Sequence, residues 1–183
     1  MTTLLRRAFL AAVPPPAVLD VIDEVFDRTR RSPFRWTRRD QWHITIQYFG
    51  KVADCDALIG ALAGAVAATP SPAVQLCGAG AFPLARKASV MWLGVADPEP
   101  LATVHEAVMD SAGAFVRSRD RVPFIPHVTL ARLPSRKNIT KEVEPLAGVP
   151  IGPRWRVEEL VLIESISARG GATYSEIARL RLA

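Results

Sequence analysis

Histidine, cysteine and long apolar runs are all scarce in this chain. Its 183 residues include three histidines and two cysteines. Cys55 and Cys77 lie in no CxxC frame. They cannot close a zinc site, and two thiols in a chain of this length do not form a disulfide scaffold. They read as reduced thiols, which fits a cytoplasmic protein. No apolar run approaches the ~18 residues of a membrane span. "LLRRAFLAAVPPPAVLD" resembles a twin-arginine export signal, but its apolar run is broken by Pro14, Pro15, Pro16 and then Asp20, and no small-residue cleavage site follows. No linker rich in glycine or serine divides the chain. A single domain over 1–183 is expected.

The composition, 49% hydrophobic and 22% charged, is that of a globular protein and excludes disordered and fibrous classes. The net charge of +5 favours acidic partners such as nucleic acid without deciding the fold. A basic surface with no exposed apolar stripe fits a monomer.

Apolar periodicity places strands at 5–13, 42–50, 73–82, 88–95 and 127–133, with two more at about 155–167 and 173–182. Helices are expected from Ala17 to about Arg30, over 54–68, and from 97–100 to about 118. The last carries the stripe Leu101, Val104, Val108, Ala112 and Phe115. A short helix is expected near 140–147.

Within this order lies a repeat. An apolar strand ends at Val13; a proline-led helix and a basic loop then lead to "HITIQYFG" at His43. A second strand ends at Val95, and a second such helix and loop lead to "PHVTLAR" at His127. Repeated units imply equivalent elements placed about a shared axis, which can bring the two histidines to face one cleft. Side chains alternate along a strand, so His43, Thr45 and Gln47 share one face while Ile44, Ile46 and Tyr48 suit a core. His127 and Thr129 likewise share a face. His105, on the helix that starts at 97–100 and in no motif, reads as structural or exposed.

Two imidazoles at one substrate suit general acid–base catalysis, because one can be neutral while the other is protonated near pH 6.5. Paired threonine hydroxyls can hold the non-bridging oxygens of a phosphate and stabilise charge that builds there. No carboxylate lies within either motif, so neither a metal nor a cofactor is expected.

These residues resemble the two signature motifs of the 2H phosphoesterase superfamily. "RAFLAAVPPP", "GAGAFP", "VMWLGV" and "GGATYSEIARLRL" resemble further landmarks of its RNA 2′,3′-cyclic phosphodiesterase branch, historically called 2′-5′ RNA ligase. The resemblance implies an α+β, bilobal, pseudo-symmetric fold: two antiparallel-sheet lobes with helices outside and a central cleft. It implies metal-independent hydrolysis of RNA 2′,3′-cyclic phosphate ends, tRNA fragments among them, to 2′-phosphomonoesters. Reversal of that chemistry gives 2′-5′ ligation. Carried over, His43 is the proton donor to the departing 3′-oxygen, His127 is the proton acceptor, and Thr45 and Thr129 bind phosphate. Arg132 matches the family's arginine after the second motif. Strict alternation turns it away from His127, so it reaches the cleft only across a strand end or a bulge. Gln47 and Tyr48 depart from the aromatic or aliphatic pair of many members.

Arg28, Arg30, Arg31, Arg35, Arg38 and Arg39 lie in a stretch without an acid, and Arg117, Arg119 and Arg121 precede His127. They read either as a solvated surface or as an RNA backbone track. Arg136, Lys137 and Lys141 follow the second motif. Phe49, Phe82, Trp92 and Tyr174 are candidates for stacking on a base, with Tyr174 the least core-like. Two rival functions keep the cleft: a phosphodiesterase for a small cyclic nucleotide, and a non-catalytic RNA- or nucleotide-binding protein.

Overall fold

The computed structural model describes residues 4–26, 33–116, 123–168 and 171–183. Among these the order is β1 (Leu5–Ala12), α1 (Pro16–Val25), β2 (Arg35–Trp36), β3 (Ile44–Val52), α2 (Cys55–Ala68), β4 (Ala73–Phe82), β5 (Ala88–Val95), α3 (Glu99–Ala112), β6 (Val128–Lys137), α4 (Thr140–Val143), β7 (Pro150–Arg156), β8 (Glu159–Ala168) and β9 (Gly171–Arg181). The strands form one antiparallel sheet in the order β7-β4-β5-β6-β3-β1-β8-β9, with the short β2 also paired to β6. The two H-x-T-x strands, β3 and β6, are therefore neighbours at its centre. Each is flanked by the strand that opens its own repeat, β1 beside β3 and β5 beside β6.

Local chemistry accounts for the helices. Proline at the first turn starts α1, where its missing N–H is no loss. The Asp54 carboxylate caps α2 by accepting from the Ala57 N–H at 3.0 Å. The α3 stripe is buried as expected at Leu101, Val104, Val108 and Ala112. Described helix ends at Val25 in α1 and at Ala112 in α3, and Phe115 sits in a following 3-10 turn. The rest of the expected first helix, and the arginines at 28, 30, 31, 117, 119 and 121, lie outside the described residues.

The helices cross over. α1 follows β1 yet packs on β7 in the other half of the sheet, where Gly152 would place a Cβ 3.6 Å from the Val18 Cα. α3 follows β5 yet packs on β3 and on α2. Each half is thereby covered by a helix from the other. His105 belongs to this crossover: its Nδ1 lies 2.8 Å from the Ile46 carbonyl, and its ring stacks on Phe124 at 4.5 Å.

Two strands differ from the sequence reading. The run at 155–167 is divided, with β7 ending at Arg156 and β8 starting at Glu159, and β7 begins as early as Pro150. β7 carries Pro150 and Pro153, which it tolerates because it is an edge strand, where one row of N–H groups has no partner to lose.

Candidate active site

Ile44 of β3 pairs with Val128 of β6, and both are fully buried. Continuing that register by one residue each way sets His43 opposite Thr129 and Thr45 opposite His127, all on the face away from the main core. The two histidines are then diagonal neighbours, roughly 7–8 Å apart. They line one cleft of about 810 Å³ together with Thr45, Thr129, Arg132, Tyr174, Gln41, Arg35, Arg7, Phe9 and Tyr48.

Arg132 reaches this cleft by a bulge. Against β5, Thr129 pairs with Trp92 and Ala131 with Met91, so Leu130 is one residue too many for the ladder. Leu130 and Ala131 are both buried, alternation restarts, and Arg132 returns to the side of His127. The same device occurs in β3. Against β1, Thr45 pairs with Ala11 and Gln47 with Leu10, leaving Ile46 as the extra residue. This corrects the sequence expectation for Tyr48, which is 54% exposed and lines the cleft, and for Phe49, which is 2% exposed in the main core and does not. Each motif thus returns the residue five places after its histidine to the cleft: Tyr48 in one half, Arg132 in the other.

Both imidazoles are held alike. His43 Nδ1 lies 2.7 Å from the Gln41 carbonyl, and His127 Nδ1 lies 2.7 Å from the Ile125 carbonyl. A carbonyl only accepts, so Nδ1 carries the hydrogen in each ring and Nε2 is left to take or give a proton. The Nε2 of His43 is 3.1 Å from the Thr45 hydroxyl. Each ring is also backed by aromatics. Phe9 and Tyr174 lie 4.8 and 5.5 Å from His43, and Phe82 and Trp92 lie 5.0 and 5.8 Å from His127. Phe82 and Trp92, candidates for base stacking in the sequence, therefore stand behind His127 and do not line the cleft. A Cβ at Gly80 would fall 2.2 Å from the Trp92 ring, so the glycine of "GAGAF" is what lets this indole lie flat on β4.

Burial is the main influence on both histidines. Desolvation pushes the half-buried His43 down to about 4; the Gln41 hydrogen bond opposes this and the charge of His127 adds to it. His127 is also lowered, chiefly by burial and further by the Arg132 cation, against its hydrogen bond to Ile125. The Tyr174 hydroxyl is raised, again chiefly by burial.

The arginine-rich loop divides. Arg38 pairs with Asp40, and Arg39 bridges Asp20 and Asp23 at 2.6 Å each, so these two are committed to the fold. Arg35 instead lines the cleft, directly opposite Arg132 across the β2–β6 pair. Phe9 and Gln41 went unread as site residues. The signal for Gln41 is its place two residues before a motif histidine, as for Ile125. Phe9 is found only through its strand partner Tyr48. No helix among the described residues is long and apolar enough to cross a membrane, and no three His, Cys, Asp or Glu side chains among them cluster as a metal site.

The family described as the 2′-5′ RNA ligase superfamily matches residues 14–169. An RNA 2′,3′-cyclic phosphodiesterase of Methanothermobacter thermautotrophicus is 25% identical, over 96% of this chain and 98% of that one. Another, from Aeropyrum pernix, is 27% identical over 82% and 88%. Among solved structures, a Thermus thermophilus protein superposes with a TM-score of 0.77 at 22% identity, covering 96% of this chain and 97% of its own. E. coli LigT complexed with NADP+ superposes at 0.73 with 25% identity, over 97% and 98%.

Proposed function

The chain belongs to the 2′-5′ RNA ligase superfamily, and on that footing we propose that it is an RNA 2′,3′-cyclic phosphodiesterase working by two-histidine acid–base catalysis. One observation carries the reading. Two H-x-T-x strands sit side by side, each with its histidine locked through Nδ1 to a carbonyl at 2.7 Å, so that both Nε2 atoms serve one cleft.

His127 Nε2 takes a proton from a water molecule as its oxygen bonds to phosphorus. The P–O3′ bond breaks, and His43 Nε2–H delivers its proton to the departing 3′-oxygen. A 2′-phosphomonoester and a 3′-hydroxyl result. The Thr45 and Thr129 hydroxyls and the Arg132 guanidinium hold the non-bridging oxygens, where charge builds. In the empty cleft His43 is neutral at pH 7, because its pKa is about 4. The anionic phosphate restores the proton, since a negative charge at contact distance favours the imidazolium. The acid is thus armed by its own substrate. With a 5′-hydroxyl in place of water, the same steps form a 2′-5′ linkage. The single domain supplies both halves of the site, and the reaction needs no metal.

The test is a short RNA ending in a 2′,3′-cyclic phosphate, incubated with enzyme and chelator, with the 2′- and 3′-phosphate products resolved. The 2′-phosphate is expected. A 3′-phosphate product reverses the roles of the two oxygens, and no turnover by folded enzyme refutes the reading.

A further inference from the structure

The cleft has two flanks of opposite character. Beyond Tyr174 lies a second hollow of about 740 Å³, where Asp40, Glu158, Glu159 and Glu176 face Arg156 and Arg179. Its Arg179 is committed to Glu159 and Glu176, and Arg38 is committed to Asp40. On the Arg132 side the balance is reversed. Arg35 and Arg132 stand opposite each other across an antiparallel pair, an arrangement that like charges oppose unless an anion lies between them. From there β6 runs on to Arg136 and Lys137, and Lys137 pairs with Ala88, immediately after the turn that carries Arg86 and Lys87. Arg35, Arg86, Lys87, Arg132, Arg136 and Lys137 are all exposed. None has an ion-pair partner among the described residues, whereas Arg38, Arg39 and Arg179 do. Glu142 and Glu144 follow on the next elements and pair with none of them.

We infer that the RNA strand carrying the cyclic phosphate leaves the cleft along β6, its backbone phosphates lying first between Arg35 and Arg132 and then over Arg136, Lys137, Arg86 and Lys87. This rests on the RNA-end reading above and adds a direction to it. From Arg132 to Lys137 the strand spans roughly 17 Å, so only an oligonucleotide can use the whole track. A cyclic mononucleotide has no further phosphate to place there. On the flank beyond Tyr174 the Arg38 and Arg179 cations are already paired with carboxylates, so a backbone taking the opposite course finds little to bind.

The test compares two substrates, a decamer RNA ending in a 2′,3′-cyclic phosphate and a 2′,3′-cyclic mononucleotide. The enzymes are wild type and a variant carrying Arg86→Ser, Lys87→Ser, Arg136→Ser and Lys137→Ser; none of these four residues lines the cleft. For the decamer, KM is expected to rise by about tenfold or more. The slope of log(kcat/KM) against log salt should flatten by about 2–3, because each lost single-strand phosphate contact removes roughly 0.7. Mononucleotide turnover should not change. The paired variants Arg86→Ser/Lys87→Ser and Arg136→Ser/Lys137→Ser should each give part of the effect. Unchanged decamer kinetics, or equal loss on both substrates, overturns the track. A wild type that turns over neither substrate instead overturns the RNA-end reading itself.

Discussion

Replacing His43 by glutamine should make the protein more resistant to acid. In the folded chain His43 titrates near 4, against 6.5 for an unhindered imidazole. Between these values the unfolded chain holds a proton that the folded chain does not, so stability is lost as pH falls through 6.5 and the loss is complete near 4. The difference between the two values corresponds to about 3 kcal/mol in full, of which about 2 kcal/mol is already lost at pH 5. His127, lowered in the same direction, adds its own loss in wild type and variant alike. Urea unfolding of both proteins at pH 8 and pH 5 isolates the His43 part. The His43→Gln protein should lose about 2 kcal/mol less than wild type over that interval. Parallel losses in the two proteins would show that His43 is not held neutral by burial, and the account of how substrate arms it would fall with that.

Three further outcomes follow from the site. Arg132→Gln should raise KM and move the acid limb of kcat/KM to higher pH, because the cation that helps hold His127 below its ordinary value is gone; an unmoved limb places Arg132 away from that ring. Gly80→Ala forces the Trp92 ring off β4 and should cost roughly 1–3 kcal/mol by overpacking, with a fall in kcat as His127 loses its support; native stability with native kcat contradicts that role. Tyr48→Ala should raise KM for a cyclic nucleotide by roughly tenfold with kcat little changed, as for loss of one stacking contact, whereas a selective loss of kcat would assign Tyr48 to the chemistry.

Much of this was legible because the repeat is written in the sequence. Two histidines, each with a threonine two places on and buried residues between, announce two strands sharing a polar face. What alternation could not supply was the pair of bulges. Nothing about Ile46 or Leu130 marks it as the residue without a partner, since both are ordinary buried aliphatics. The extra residue is set by the facing strands β1 and β5, far away in sequence. That long-range cause put Tyr48 on the wrong face in the sequence reading and Phe49 in the wrong role, and left Arg132 conditional on a bulge. The arginines were ambiguous for the same kind of reason. Arg35, Arg38 and Arg39 look alike in sequence, but Arg39 meets Asp20 and Asp23 only because α1 lies beside it. Strand β7 starts ahead of the apolar pattern near 155 because its edge position tolerates Pro150 and Pro153.

The most direct test of the two-histidine account is single-turnover cleavage of an RNA 2′,3′-cyclic phosphate by wild type, His43→Ala, His127→Ala and the double variant, with substrate affinity measured separately. The account predicts that each single variant still binds but loses about 10²–10⁴ in rate, the scale of one proton transfer. The double variant should lose less than the product of the two, because both groups act in one step. A single variant that cleaves at nearly the wild-type rate would contradict it.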